Sequence, residues 1–457
     1  MKLTRRDVLA GAAAGAIGAT GIYELVDRLS GSSPPRVATA PRGPEQHLLE
    51  GIRVVKSDGV EVLVPPLHHE IVTARVAVDR ADLRDAQATL AQALAALDGE
   101  YAPSPAGRGV TVAWGLPYFR RFVPAAAAEH LPNDRRAGKL ALLPARLFQS
   151  DDPGTLLEHN DVAILLRSDQ RAHIDDAIRR IRATGVLHVT SLRRGFAGGG
   201  FDGGRSLPKQ MAMAAGIPGA DLIPESSELF LGFTSTQKAG MGPGKIANFE
   251  TLGFVDLRAG GYFRHGTHMH LSHVSEDLEA WYINFDFRER VDTAFRPNLK
   301  VGEYVQTVPQ GPKQVSTVAD VRREFGTTGR IGHSAAIQTT SRLAHGVVGP
   351  DGTAYEQGAA IPIRAAFNTL DNPFAWSERP GEVAGTPIAG IHFVVFNPSS
   401  DDFHRNRLAM DGILPGAKIP FAPGARGQGF NAVLTTTHRQ NFLVPPVAHR
   451  SFPLAEL

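Results

Sequence analysis

The chain contains no cysteine. That excludes disulfides, iron–sulfur clusters, cysteine-based zinc sites and thiolate ligation of a haem iron. A domain of this size does not need disulfides, and a chain without thiols suits contact with oxidants. Charge of one sign is missing too. The 48 basic and 46 acidic residues nearly cancel, and no basic stripe is interleaved with aromatics, so nucleic acid is not an expected partner. There is no Gly-x-Ser-x-Gly elbow and no Walker-type phosphate loop, which leaves serine-nucleophile and nucleotide chemistry without support. No internal repeat of solenoid spacing is present. The one leading apolar run, Leu9 to Tyr23, is too short and too rich in Gly and Ala to make a good spanning helix.

What is present is ample core material. The 457 residues are 42% hydrophobic, which suggests two domains or one large domain in two halves. The 48 glycines and 32 prolines imply many loops. Thr4-Arg5-Arg6-Asp7-Val8-Leu9, the apolar run behind it and the linker from Gly31 to Gly43 come in the order of an export leader. The pattern resembles a twin-arginine signal, which exports proteins already folded. Residues 1–45 are therefore read as signal and linker. The twin-arginine (Tat) export machinery is then a partner, and the location is periplasmic or extracellular. Ala38-Thr39-Ala40 has the form of a cleavage site, but Pro41 disfavours cutting there. Retention as a membrane tether stays open.

Periodicity gives the fold class. Ile71 to Val78 reads as a strand, followed by a helix capped by Asp79, with Leu83, Leu90, Leu94 and Leu97 on one face. Gly109–Trp114 and Val162–Leu166 read as strands. A helix capped by Ser168 or Asp169 carries Ile174, Ile178 and Ile181, and Val186–Leu192 returns as a strand. This order is the ferredoxin-like unit. Residues 46–245 form the first such module. A second, 246–457, has similar grammar: extended segments at Phe254–Leu257 and Tyr262–His270, a helix from Ser275 to Trp281, a strand at Ile388–Phe396 and a helix at Asp401–Met410. The expected fold is α+β, two ferredoxin-like modules packed together, with a glycine-rich loop between them.

That loop, Arg194 to Pro208, sets one carboxylate, Asp202, among glycines that let the backbone approach a ligand closely. Read alone, Asp-Gly in such a run is equally a turn. A second cluster is His265, His268, His270 and His273. In a strand, His268 and His270 share a face. With His265 or His273 they would make a copper or zinc site. Otherwise they pack and hydrogen-bond one by one.

Several segments together resemble the dye-decolourising (DyP-type) haem peroxidases. They are Gly199-Gly200-Phe201-Asp202-Gly203, Glu228–Phe233, Gly261–Arg264, Ala389–Phe396 and Asn441–Pro446, in that order. The resemblance implies two ferredoxin-like halves of a dimeric α+β barrel-type fold, haem b as cofactor, and oxidation of a small organic or dye-like donor by hydrogen peroxide. It implies Asp202 as the base that moves the peroxide proton and Arg364 as the distal cation. His333 is implied as the proximal iron ligand, with Gly199, Gly203 and Arg342 at the cofactor. His345 is the nearest competitor of His333. The run after His333, Ser-Ala-Ala-Ile-Gln-Thr-Thr-Ser-Arg, lacks the arginines usual in that family. An orienting carboxylate for the ligand is sought in Asp401 or Asp402, although both also suit a helix start. Trp281 or Tyr282 is read as a surface route for electrons. The alternative is a non-catalytic relative that binds haem or, at the histidine cluster, copper or zinc. The oligomeric state, homo-oligomer or monomer, is not fixed by these residues.

Overall fold

A computed structural model describes residues 22–30, 42–57, 60–134, 136–197, 206–225, 227–233, 245–247, 261–299, 316–348, 354–355, 357–358, 360–376, 385–422, 425 and 428–457. The elements that place the site are as follows. Helix α1 (Leu25–Ser30) comes first. Then come β1 (His68–Val76), α2 (Leu83–Glu100), β2 (Gly109–Gly115), β3 (Val162–Ser168), α3 (Arg171–Ala183) and β4 (Leu187–Phe196). Helix α4 (Leu207–Ala214) leads to the second half. That half holds β5 (Thr267–Glu276), α5 (Leu278–Ile283), α6 (Phe287–Ala294), α7 (His333–Ser341), β6 (Ile363–Arg364) and β7 (Phe367–Thr369). It ends with β8 (Gly390–Asn397), α8 (Ser400–Met410) and β9 (Leu434–Val444).

The strands pair in the order β5-β8-β7-β4-β1-β3-β2-β9, and β9 pairs again with β5. The sheet thus closes on itself as an antiparallel barrel, with short pairings where β4 meets β7 and where β9 meets β2. Its interior is apolar at mid-height, where Ile71, Leu165, Leu271, Val394, Phe396 and Phe442 meet. On the outside, α2 and α3 cover the first half. Leu83, Ala86, Leu90, Leu94 and Leu97 recur at helical spacing, so one face of α2 is buried on the sheet. At roughly 1.5–3 kcal/mol for each large apolar side chain, this seam is a principal stabiliser of that layer.

The first module follows its sequence reading in element order, and the α+β fold with two ferredoxin-like halves is observed. Four local readings change. Ser168 ends β3 and Asp169 accepts from the Leu67 amide, so neither caps α3, which starts at Arg171 behind Gln170 without a side-chain cap. Asp79 caps only a single turn, Arg80–Asp82, without a side-chain bond, and the α-helix proper starts at Leu83. Tyr262–His265 is turn rather than strand; His265 has φ of 66°, and β5 begins at Thr267. Ser275 is still in the ladder, opposite Gly390 and Thr435. Helix α5 starts three residues later, at Leu278, where the side chain of its N-cap Asp277 accepts from the Ala280 amide. Phe254–Leu257 lies outside the described residues.

Candidate active site

The strand alternation of β5 decides where the site lies. Met269 and Leu271 point into the barrel, while Ser272, Val274 and Glu276 point outward. The outward face forms one wall of a deep, mainly apolar pocket with about 1590 Å³ of empty space, its open mouth included. Ile391, Phe393 and Val395 of β8 and Arg364 of β6 extend that wall. The opposite wall is helical. On α7, His333, Ile337 and Ser341 recur every fourth residue and line the pocket together. Helix α8 contributes Phe403, Asn406 and Arg407.

Helix α7 is pinned by Gly332. A Cβ there would lie 2.3 Å from the Phe295 carbonyl oxygen, so only glycine allows this approach. The Ala335 amide donates to the same carbonyl at 2.9 Å. His333 follows directly. Its half-buried ring packs against Phe430, with centroids 4.7 Å apart. Burial pulls its pKa down to about 3, and the cations of Arg364 and Arg407 push the same way. The imidazole is therefore neutral, the form that binds metal. Its Nδ1 is buried with no hydrogen-bond partner among the described residues.

The charged groups around it are ordered. Arg407 donates to Asp411 at 2.6 Å and to Asp151 at 3.1 Å. Arg439 holds the same Asp151 at 2.7 and 2.8 Å. These pairs fix two guanidinium groups at the pocket wall. Glu276, at the end of β5, differs. Its Oε2 is buried without a partner among the described residues, and desolvation pushes its pKa up to about 8.

The structure brings His333, Arg364 and Arg342 to this one pocket. Asp202, Gly199 and Gly203 lie outside the described residues. The histidine cluster does not converge. His265 pairs with Glu45 at 2.8 Å, and His268 with the Pro398 carbonyl at 3.0 Å. His270 stacks on Phe403 and bonds Asn441, on the outer face. His273 turns into the barrel, bonds Thr437 and packs against His392. Among the described residues no group of three metal-ligating side chains forms. The strand pleat that puts 268 and 270 on one face sends 273 to the other, and His265 is held by Glu45, so the copper or zinc arrangement does not form among the described residues.

His345 is exposed and does not line the pocket. Asp402 serves the start of α8 through a capping box with Ser399 and binds Arg136; Asp401 binds Lys139. Neither orients His333. Trp281 and Tyr282 are buried, donating to the carbonyls of Leu231 and Phe230, so neither is a surface relay. Glu276, Arg407 and Arg439 were not singled out from sequence. An acid at a strand end and arginines within regular elements carry no local motif.

A family model described as a family of unknown function (DUF7405) matches residues 66–446. The chain belongs to this family. No curated protein matches the sequence. Among solved structures, the chain is similar to a DyP-type peroxidase from Cellulomonas bogoriensis. The identity is 18%, over 90% of this chain and 99% of that one, with a TM-score of 0.50. Ferric DtpA from Streptomyces lividans gives 16% identity over 84% and 89%, with a TM-score of 0.48. A DypB variant from Rhodococcus jostii RHA1, in complex with heme, gives 14% over 85% and 95%, with a TM-score of 0.47. The fold of this DUF7405 member is thus that of the DyP-type peroxidases, at low identity.

Proposed function

We propose that this DUF7405 protein is a haem b-dependent peroxidase that uses hydrogen peroxide to oxidise a small organic donor. The observation that carries the reading is a neutral, half-buried His333 on the helical wall and Arg364 on the sheet wall of one apolar pocket. The residues suit the group. A flat, dianionic macrocycle wants apolar walls, one unprotonated imidazole and nearby fixed cations, and the pocket holds these. His333 would ligate the iron, and Arg342 would lie at the cofactor. The bound haem would supply the two-electron chemistry by which peroxide is reduced.

The chain's own part is positioning and proton handling. Arg364 keeps a permanent positive charge on the sheet wall and can orient an anionic or polar ligand without changing its protonation. Asp202 would take the peroxide proton and return it to the leaving oxygen. The ordered strand end at Arg194–Phe196 leads into its loop. Phe393, Val395 and Phe403 exclude water. Because Trp281 and Tyr282 are buried, the donor would give up its electrons at the pocket mouth. The Tat-type leader supports export, with the mature protein outside the cytoplasm.

A second reading, a haem-binding relative without turnover, is favoured by one observation: the charged groups near His333 are the Arg364 and Arg407 cations, and no carboxylate bonds its Nδ1 among the described residues. One experiment separates the readings. The purified protein is titrated with haemin and its absorption spectrum recorded, before and after peroxide. A Soret band that is lost in His333→Ala and responds to peroxide supports the peroxidase. A band that ignores peroxide supports the second reading, and no haem uptake sinks both.

A further inference from the structure

The end of the leader's apolar run and the short helix behind it are built into the fold. Ile22, Tyr23 and Val26 are 1%, 5% and 0% exposed. They join a core with Phe196, Met211, Phe230 and Trp281. Helix α1 packs on α4, the first helix after the glycine loop. Asp27 binds His68 at 2.7 Å. Such burial is unusual for a segment due to be removed; exported leaders and linkers are ordinarily left outside the folded domain.

Tyr23 is the centre of this contact. Its hydroxyl donates to Asp371 Oδ1 at 2.7 Å and accepts from the Leu370 amide at 2.9 Å. The other oxygen of Asp371 accepts from the Arg194 amide at 2.7 Å. Thr369, next to Tyr23, donates to the Arg194 carbonyl at 2.7 Å. Tyr23 thus fastens, through one carboxylate, the end of β4 from which the glycine loop departs. Cleavage after Ala40 would take Tyr23 away and leave Asp371 buried with a donor missing.

We propose that Ile22–Ser30 stays attached in the working protein, that the leader is therefore not removed at Ala40, and that Tyr23 is a positioning residue for the strand end that carries the glycine loop. Retention keeps the export sequence on the protein as its tether. This does not rest on the haem reading, since every group named lies outside the cofactor pocket.

Two measurements test it. The first is the intact mass of the protein taken from its native host, in membrane and soluble fractions. A chain starting at or before Ile22 is expected; a folded protein whose N-terminus lies beyond Tyr23 overturns retention. The second is Tyr23→Phe, which keeps the ring contacts with Phe196 and removes the hydroxyl. Asp371 faces Tyr23, the Arg194 side, His392 at 3.4 Å and Trp376. Burial pushes it up to about 6, with the Tyr23 bond pulling it back. It is mostly protonated at pH 5 and charged at pH 8. The unfolding midpoint should fall by roughly 3–5 °C at pH 8 and by less at pH 5. Exchange of the Arg194 amide should quicken roughly tenfold at pH 8. Equal losses at both pH values, or an unchanged Arg194 amide, would overturn the positioning role. A merely space-filling tyrosine predicts those outcomes.

Discussion

Replacing Glu276 by glutamine should stabilise the haem-free protein, and by an amount that depends on pH. Glu276 ends β5 with its amide bonded to the Ala389 carbonyl, and its side chain turns into the apolar pocket. Desolvation alone raises it from 4.5 to about 8, since no cation offsets the burial. Between those values the folded chain holds a proton that the unfolded chain has released. Folding therefore takes up a proton, and stability falls as pH rises through this window. At 1.36 kcal/mol per unit, the full cost above pH 8 is about 5 kcal/mol. A glutamine side chain carries no charge and escapes that cost while keeping the size of the glutamate. The assay is urea unfolding, followed by tryptophan fluorescence, at several pH values. The two proteins should be nearly equal at pH 4.5. The variant should lead by a margin that grows to about 3–5 kcal/mol at pH 9. A margin that is flat across pH, or a variant less stable at pH 9, would refute the argument that Glu276 is an uncompensated buried acid.

Other expectations follow from the same geometry. Gly332→Ala sets a methyl group against the Phe295 carbonyl and should cost about 2–4 kcal/mol, read by denaturant unfolding, with weaker haemin binding because His333 shifts. Arg407→Gln removes a cation that lowers His333; the imidazole, followed by NMR in the haem-free protein, should titrate at a higher pH than in the parent. Asp202→Asn should keep the Soret band but slow the reaction with peroxide by about 10²-fold or more in stopped flow. Unchanged kinetics would remove Asp202 from the mechanism.

The legibility of the chain divides along physical lines. Helices α2 and α3 could be read because each buries one regular apolar face, and strands β1 to β4 because they are short apolar runs bounded by polar residues. The second half is harder. Gly261 and Gly266 flank a turn that its alternating residues disguise as strand. Ser275, a common helix starter, stays extended because both neighbouring strands bond it. His333 and Arg364 rest on the resemblance to the DyP-type peroxidases, not on local chemistry. The pocket that unites them is made by α7 and α8 lying over β5, β6 and β8, a tertiary fact with no sequence signature. The same holds for Glu276 and Arg407. The histidine cluster shows the reverse error. Four imidazoles close in sequence were separated by the pleat and by partners as distant as Glu45 and Asn441.

Strand β9 touches both halves: it pairs with β5 along most of its length and with Gly115 and Trp114 of β2. It also follows every other strand of the barrel in chain order. Until it pairs, β2 and β5 both present unpaired edges, and the barrel stays open on either side of the gap. A chain without β9 exposes apolar strand edges to other chains. The barrel closes only when its last strand in chain order has joined. For a protein that, as proposed, crosses a membrane in folded form, this provides a simple quality check. A chain truncated before Leu434 cannot close its barrel, and a folding-sensitive exporter has an open edge by which to refuse it.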